Sequence, residues 1–276
     1  MAELLFVKLG GSLITDKSRP ATARPRVIRR LAREVLGAIR QSHDLQVVLG
    51  HGSGSFGHVV AQRYAVQSGC SDWLGYALTS AAAARLNRIV ADLFLDEGVP
   101  VVTLQPSASA LCTGGELVEL AWRPVVDMLE RCVVPLVYGD VARDEQWGST
   151  IISTEAIFAY LARHLLPRRI LMVGEVGGVY TADPHFDPAA RRIETIRADR
   201  LSPEDGTLAG SHAVDVTGGM RTKVLGMAAL VRELPGLRVL LLSGEQPGLL
   251  QRSLLDQRFN PGTELRAADS AADCGC

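Results

Sequence analysis

Six short runs rich in Val, Leu and Ile alternate along the chain with stretches of helical periodicity, and that alternation restricts the fold more than any other feature. The apolar runs are Leu4 to Val7, Gln46 to Leu49, Val99 to Leu104, Val133 to Tyr138, Ile170 to Val173 and Arg238 to Leu242. Being continuously apolar, they read as strands buried on both faces, the condition of parallel strands. Helical spacing occupies Val27 to Arg40, Ser80 to Glu97, Val125 to Arg131, Ile157 to His164 and Lys223 to Glu233. The order predicts a doubly wound α/β sheet with its ligand loops at the carboxyl ends of the strands.

Glycine-rich segments stand at those ends. Lys8-Leu9-Gly10-Gly11-Ser12 follows the first run and His51-Gly52-Ser53-Gly54-Ser55-Phe56-Gly57-His58 the second. Without a Cβ, such loops let backbone N–H groups approach an anion, and a helix beginning just beyond adds the positive end of its dipole. Tyr138-Gly139-Asp140, Gly174 to Gly178 and Ser243-Gly244-Glu245 are expected to join them, so that five loops line one crevice. Gly52, Gly54 and Gly57 fit the dinucleotide pattern G-x-G-x-x-G, but the acidic residue at the right spacing, Asp72, does not lie at a strand end as that pattern needs. The phosphate loop G-x-x-x-x-G-K-[ST] is absent, as is the protein-kinase set.

Of 29 basic residues only three are lysine, Lys8, Lys17 and Lys223, and each lies in or beside a glycine-rich segment. Lysines serving solubility would be scattered. Three mobile ammonium groups around one phosphoryl group would neutralise charge on its equatorial oxygens during transfer, which makes phosphoryl transfer the expected reaction class. A net charge of -1 implies no nucleic-acid partner, and the arginines between Arg19 and Arg40 alternate with Val27, Leu31, Val35 and Ile39 as on the wet face of an amphipathic helix. No run approaches the roughly 18 to 20 apolar residues that cross a bilayer, and no signal-peptide pattern precedes Lys8, so a cytoplasmic protein without a membrane partner is expected. Five scattered cysteines predict free thiols, and no metal-ligand cluster is expected.

Val7 to Lys17, His51 to His58, Tyr138-Gly139-Asp140 and Asp215 to Lys223 together resemble the amino acid kinase superfamily and, within it, the isopentenyl phosphate kinase family. The similarity runs from about residue 4 to Gly262-Thr263. It implies a three-layer αβα sandwich around a largely parallel sheet, as one domain over 1–265 followed by a flexible tail over 266–276. The part up to about 140 would bind the acceptor and the part from about 141 the nucleotide. It also implies a homodimer that uses ATP and Mg²⁺ to convert isopentenyl phosphate into isopentenyl diphosphate for isoprenoid biosynthesis. By the resemblance, Lys8, Lys17 and Lys223 hold the ATP phosphates and the transferred group, and His58 bonds the acceptor phosphate with Ser53, Gly54, Ser55 and Thr154. Gly10, Gly11, Ser12 and Gly54 serve the phosphates, while Glu175, Asp215, Thr217, Gly218 and Gly219 lie by the nucleotide.

Three positions depart from the family pattern. Ser53 replaces a glycine of His-Gly-Gly-Gly; Ser153-Thr154-Glu155 stands where Ser-Gly-Asp is usual; and Gly174-Glu175-Val176-Gly177 lacks one acidic group. Ser153 or Thr154 is suited to cap a helix, and Glu155 to orient the lysines with a longer arm than Asp. Kinases of phosphonates such as fosfomycin share the lysines and the loop histidine, a carboxylate kinase is a further alternative, and a nucleotide-binding regulator without turnover also stays open. Most of Trp73, Tyr76, Leu78, Ala81 to Ala84, Leu86, Ile89 and Phe94 read as core, with a few lining a slot for an apolar tail.

Overall fold

The first apolar run becomes β1 (Glu3–Leu9) of a computed structural model that describes residues 3–57, 73–182, 187, 189–201 and 218–267. It is followed by the helical turn α1 (Gly11–Ile14), α2 (Pro25–Gln41), β2 (Leu45–His51), α3 (Trp73–Asp96) and β3 (Val101–Thr103). Then come β4 (Leu111–Thr113), β5 (Glu116–Glu119), α4 (Arg123–Leu129), β6 (Val134–Tyr138), β7 (Asp140–Asp144), β8 (Gly148–Ile152) and α5 (Thr154–Leu165). The remainder is β9 (Arg169–Gly174), β10 (Val179–Tyr180), β11 (Arg192–Ile193), β12 (Thr195–Arg197), α6 (Gly218–Glu233), β13 (Arg238–Ser243), α7 (Leu249–Leu255) and β14 (Thr263–Arg266). All six expected strands and all five expected helices are present.

Among the described residues, eight strands form one sheet in the order β12-β14-β13-β9-β1-β2-β6-β3, parallel throughout except where β14 runs against β13. Period-two alternation along β1 feeds two cores. Leu5, Val7 and Leu9 pack with Leu31, Val35, Leu86, Phe94 and Leu254 on one face, whereas Phe6 packs with Phe158, Leu161, Met227 and Val231 on the other. Helices α2, α3 and α7 therefore cover one face and α4, α5 and α6 the other, the expected αβα sandwich. A fully buried side chain of this size stabilises the fold by about 1.5–3 kcal/mol. The arginine face of α2 is solvated as read, with Arg29 and Arg33 paired to Asp96 and Glu97 across the end of α3.

Gly50 explains how closely α5 approaches the sheet. A Cβ there would come within 2.7 Å of Thr154 Cγ2 and of the Phe158 ring. Its absence lets the first turn of α5 sit on β2, next to β1.

The second sheet refines one reading. Tyr138-Gly139-Asp140 is a bend rather than a loop, because β6 ends at Tyr138 and β7 starts at Asp140, leaving Gly139 alone between them, and Gly139 and Asp140 face the crevice as expected. The chain passes there into a four-stranded sheet, β5-β4-β7-β8, that the sequence did not announce. Its strands are short, and Glu116 to Glu119 is mostly exposed, so it carries no apolar run. The Asp144 carboxylate holds the two hairpin tips together by accepting the N–H groups of Gly114, Gly115, Gln146 and Trp147 at 2.7–3.1 Å. Arg266, expected in the tail, is the last residue of β14; the rest of that tail beyond 267 lies outside the described residues.

Candidate active site

Lateral hydrogen bonds join the loops at the carboxyl ends of β13, β9, β1, β2 and β6. Gly244 N–H donates to Gly174 O, Gly10 N–H to Val173 O, Gly52 N–H to Leu9 O and Gly139 N–H to His51 O, at 2.7–3.2 Å. The two glycine segments interlock where a Cβ on Gly11 would lie 2.7 Å from Gly54 Cα, and Gly54 itself has φ +49. Thr15 ties them together: its hydroxyl donates to Gly11 O at 2.6 Å and accepts from Ser55 N–H at 3.0 Å. This threonine was not singled out from the sequence, and nothing in its spacing marks it.

Beside these loops lies a cleft of about 860 Å³, whose wall includes Lys8, Lys17 and Lys223, all the lysines in the chain. Gly11, Ser12, Ser53 and Gly54 line it too. Among the described residues the N–H groups of Gly11, Ser12, Ser53 and Gly54 have no hydrogen-bond acceptor, as expected of helix starts left to bind an anion.

Lys8, on β1, is buried, and its Nζ stands 2.6 Å from Glu155 Oε1. Burial would raise the Glu155 pKa, but the Lys8 ammonium, helped by Lys223, holds it below the ordinary carboxylate value. Partial desolvation in the cleft wall, reinforced by the Lys8 charge, lowers the ammonium pKa of Lys223. Glu155 thus meets the lysine as its longer arm suggested. Ser153 caps α5, accepting Ala156 N–H at 3.1 Å. Thr154 lines the cleft, but its hydroxyl donates to His51 O at 2.6 Å and is engaged there.

Ser55, read as a donor to the acceptor phosphate, turns away: its hydroxyl accepts Thr22 N–H at 3.3 Å and its N–H goes to Thr15, because the helical turn over 54–57 carries it round to the 15–22 loop. Glu175 is exposed and faces Arg24 with Glu245, outside the cleft wall. Gly218 and Gly219 begin α6, which brings Lys223 to the cleft. His58, Asp215, Thr217 and the rejected Asp72 lie outside the described residues. The cleft is also lined by Thr79, Ala83, Ile151, Ile152, Asp140 and Glu116. Of the residues considered for an apolar slot only Ala83 reaches it, while Leu86 and Phe94 are core. Burial raises the Asp140 pKa against the pull of Ser107 and Val141 N–H bonds. Among the described residues no three His, Cys, Asp or Glu side chains converge as metal ligands, and no helix is long and apolar enough to cross a membrane.

A doubly wound sheet with two glycine cradles and three lysines around one cleft defines a phosphoryl-transfer enzyme of the αβα type. The chain belongs to the amino acid kinase family, whose model matches residues 3–243. It is 34% identical to the isopentenyl phosphate kinase of Methanothermobacter thermautotrophicus over 95% of this chain and 98% of that protein. It is 35% identical to that of Haloferax volcanii over 90% of this chain and 98% of the relative. Among solved structures, an isopentenyl phosphate kinase superposes with a TM-score of 0.80 at 29% identity, covering 95% of this chain and 100% of that one. A product complex of the Thermoplasma acidophilum enzyme follows at a TM-score of 0.77 and 25% identity, covering 95% and 100%.

Proposed function

We propose that the protein transfers the γ-phosphoryl group of ATP to isopentenyl phosphate, giving isopentenyl diphosphate and ADP. The observation that carries this is the convergence of every lysine of the chain on one cleft bounded by two unsatisfied glycine cradles, and the likeness to isopentenyl phosphate kinases over nearly the whole chain supports the acceptor. That likeness does not favour a phosphonate kinase or a silent regulator.

An oxygen of the acceptor phosphate forms a bond to Pγ as the bond from Pγ to the bridging β-oxygen breaks. A phosphate monoester has its second pKa near about 6, so the attacking oxygen is already ionised and no general base is needed. The protein's task is to hold two repelling anions in line. Gly10, Gly11 and Ser12 cradle the nucleotide phosphates; Lys8, fixed by Glu155, and Lys223 neutralise the transferred group; Lys17 follows it across. Ser53, Gly54 and His58 hold the acceptor phosphate, and its five-carbon tail lies against Ala83, Ile151 and Ile152. Glu175, Asp215, Thr217, Gly218 and Gly219 border the nucleotide. Glu155, the carboxylate among the lysines, is taken by Lys8, so Mg²⁺ would be held by the ATP phosphates, where it would neutralise phosphate charge. The acceptor half spans about 1–140 and the nucleotide half about 141–265 of one domain, which works in the cytoplasm as a homodimer.

The test is ADP release with ATP and Mg²⁺ on isopentenyl phosphate, dimethylallyl phosphate, fosfomycin, glutamate and no acceptor, with the product read by phosphorus NMR. Diphosphate formed from isopentenyl phosphate is the expected outcome. Turnover on fosfomycin or glutamate alone would move the substrate, and binding of ATP without turnover on any acceptor would overturn the reading.

A further inference from the structure

His51 is wholly buried at the end of β2, outside the cleft wall, and yet its ring meets Gly52, which lines the cleft, and α3, which contributes Thr79 and Ala83 to it. Its ring stacks on Tyr138 with centroids 5.6 Å apart and planes 8° from parallel. Nε2 lies 3.1 Å from Asn87 Nδ2 on α3, and Nδ1 lies 3.0 Å from Gly52 O. Thr103 Oγ1 on β3 donates to Asn87 Oδ1 at 2.8 Å, which turns the asparagine amine towards the ring. An amide NH₂ group can only donate and a carbonyl oxygen can only accept, so Nε2 accepts and the ring proton sits on Nδ1, where it is donated to the Gly52 carbonyl. The opposite tautomer would set a lone pair against that carbonyl oxygen. Burial also keeps the ring neutral, lowering its pKa to about 4.

The consequence falls on the next peptide unit. The Gly52–Ser53 bond is trans, so its C=O and N–H point in opposite directions. With the Gly52 carbonyl drawn inward onto His51, the Ser53 N–H faces outward to the cleft that Gly52 and Ser53 line. Released, a glycine-linked peptide turns over readily, and the cradle would then present an oxygen to an anion.

We propose that His51 is a positioning residue: held by Asn87 and Thr103, it locks the Gly52–Ser53 peptide so that the second glycine loop offers an N–H donor to the acceptor phosphate. This rests on that loop being the acceptor side, as in the function proposed above.

The test begins with the tautomer, read by nitrogen NMR on substrate-free protein with labelled histidines, where His51 is expected as the Nδ1–H form. His51→Asn keeps a donor at the Nδ1 position, whereas His51→Gln reaches Asn87 and abandons Gly52. His51→Gln should raise the acceptor KM about tenfold or more with ATP KM within about twofold, while His51→Asn stays within about threefold of wild type on both. Thr103→Val, which should fold because it is isosteric, frees Asn87 to rotate and should shift the acceptor KM in the same direction by about threefold. An Nε2–H tautomer, equal acceptor KM values for the two His51 variants, or parallel rises for ATP and acceptor would each overturn the proposal. Should isopentenyl phosphate prove the wrong acceptor, the tautomer and the response of the Ser53 amide signal to inorganic phosphate, present in wild type and lost in His51→Gln, still decide it.

Discussion

Acidification should unfold this protein partly through one imidazole. His51 has its pKa lowered from 6.5 to about 4 by burial, with the Lys8 charge a smaller contribution. In the unfolded chain the ring takes a proton as pH falls through about 6.5, but in the folded protein it stays neutral until about 4, so stability present above 6.5 is lost progressively across that window. Below both values the loss is the full shift, about 3 kcal/mol; at about pH 5.5 it is about 1 kcal/mol, and at about pH 4.5 about 2–3 kcal/mol. Carboxylates titrate over the lower part of the same range, so the effect must be taken as a difference. Asparagine at position 51 keeps the bond to Gly52 O and has nothing to titrate. Urea unfolding of wild type and His51→Asn at about pH 7.5, 5.5 and 4.5 should therefore show wild type losing about 2–3 kcal/mol more than the variant between the ends of the series. For a domain of this size that corresponds to a relative fall in Tm of about 5–10 °C. Parallel curves, within about 0.5 kcal/mol at every pH, would refute the assignment of a buried neutral ring and the hydrogen-bond relay derived from it.

Lys8→Ala and Lys223→Ala should each reduce kcat by about two to three orders of magnitude in the coupled ADP assay, since in the function proposed above each removes a charge from around the transferred group. Gly11→Ala puts a methyl against the backbone of Gly54 and should abolish both cradles together, seen as loss of ATP and acceptor binding by calorimetry. Asp144→Ala orphans four backbone N–H groups at the hairpin tips and should cost about 2 kcal/mol or more in urea unfolding. Glu155→Asp, which withdraws the carboxylate from Lys8, and Glu155→Gln, which keeps the reach but not the charge, should each reduce kcat by about 10- to 100-fold. A fully active Glu155→Asp would show that arm length is immaterial.

The parts of this architecture that rest on burial were legible in the sequence, because burial leaves a composition. β1, β2, β9 and β13 are continuous apolar runs for the reason that helices cover both faces, and the αβα order follows from their alternation with α2 to α6. The lysines were legible through their rarity, and Glu155 through its position at the start of a helix. What escaped is held by single hydrogen bonds between residues far apart in sequence. Thr15 clasps the two cradles, Asp144 gathers two hairpins and Thr103 orients Asn87, and none of these has a periodicity or spacing that announces it. The four-stranded second sheet escaped for a related reason, since its strands are short and half wet. His51 could have been found: a histidine at the last position of a buried strand, directly before a glycine cradle, has its backbone in the sheet and its ring beside the loop.

The length of the Glu155 arm fits the distance between two strands. Glu155 rides on α5, whose first turn is fixed over β2 by the Gly50 gap and by the bond from Thr154 to His51 O, whereas Lys8 projects from β1, the neighbouring strand. The carboxylate must therefore reach across one strand spacing, about 4.8 Å. The ion pair at 2.6 Å leaves Lys8 immobile and Glu155 ionised in a site that is otherwise cationic. A buried ammonium held this way is oriented before substrate arrives, so its attraction for the transferred phosphoryl group costs no reorganisation at the moment of transfer. Lys17 is exposed and Lys223 lies at the rim, where each keeps the freedom to follow the moving group. In the mechanism proposed above, one fixed and two mobile cations divide the work of a reaction in which both reactants carry negative charge: the fixed one would set where the phosphoryl group must be, and the mobile ones would keep it neutralised as it crosses.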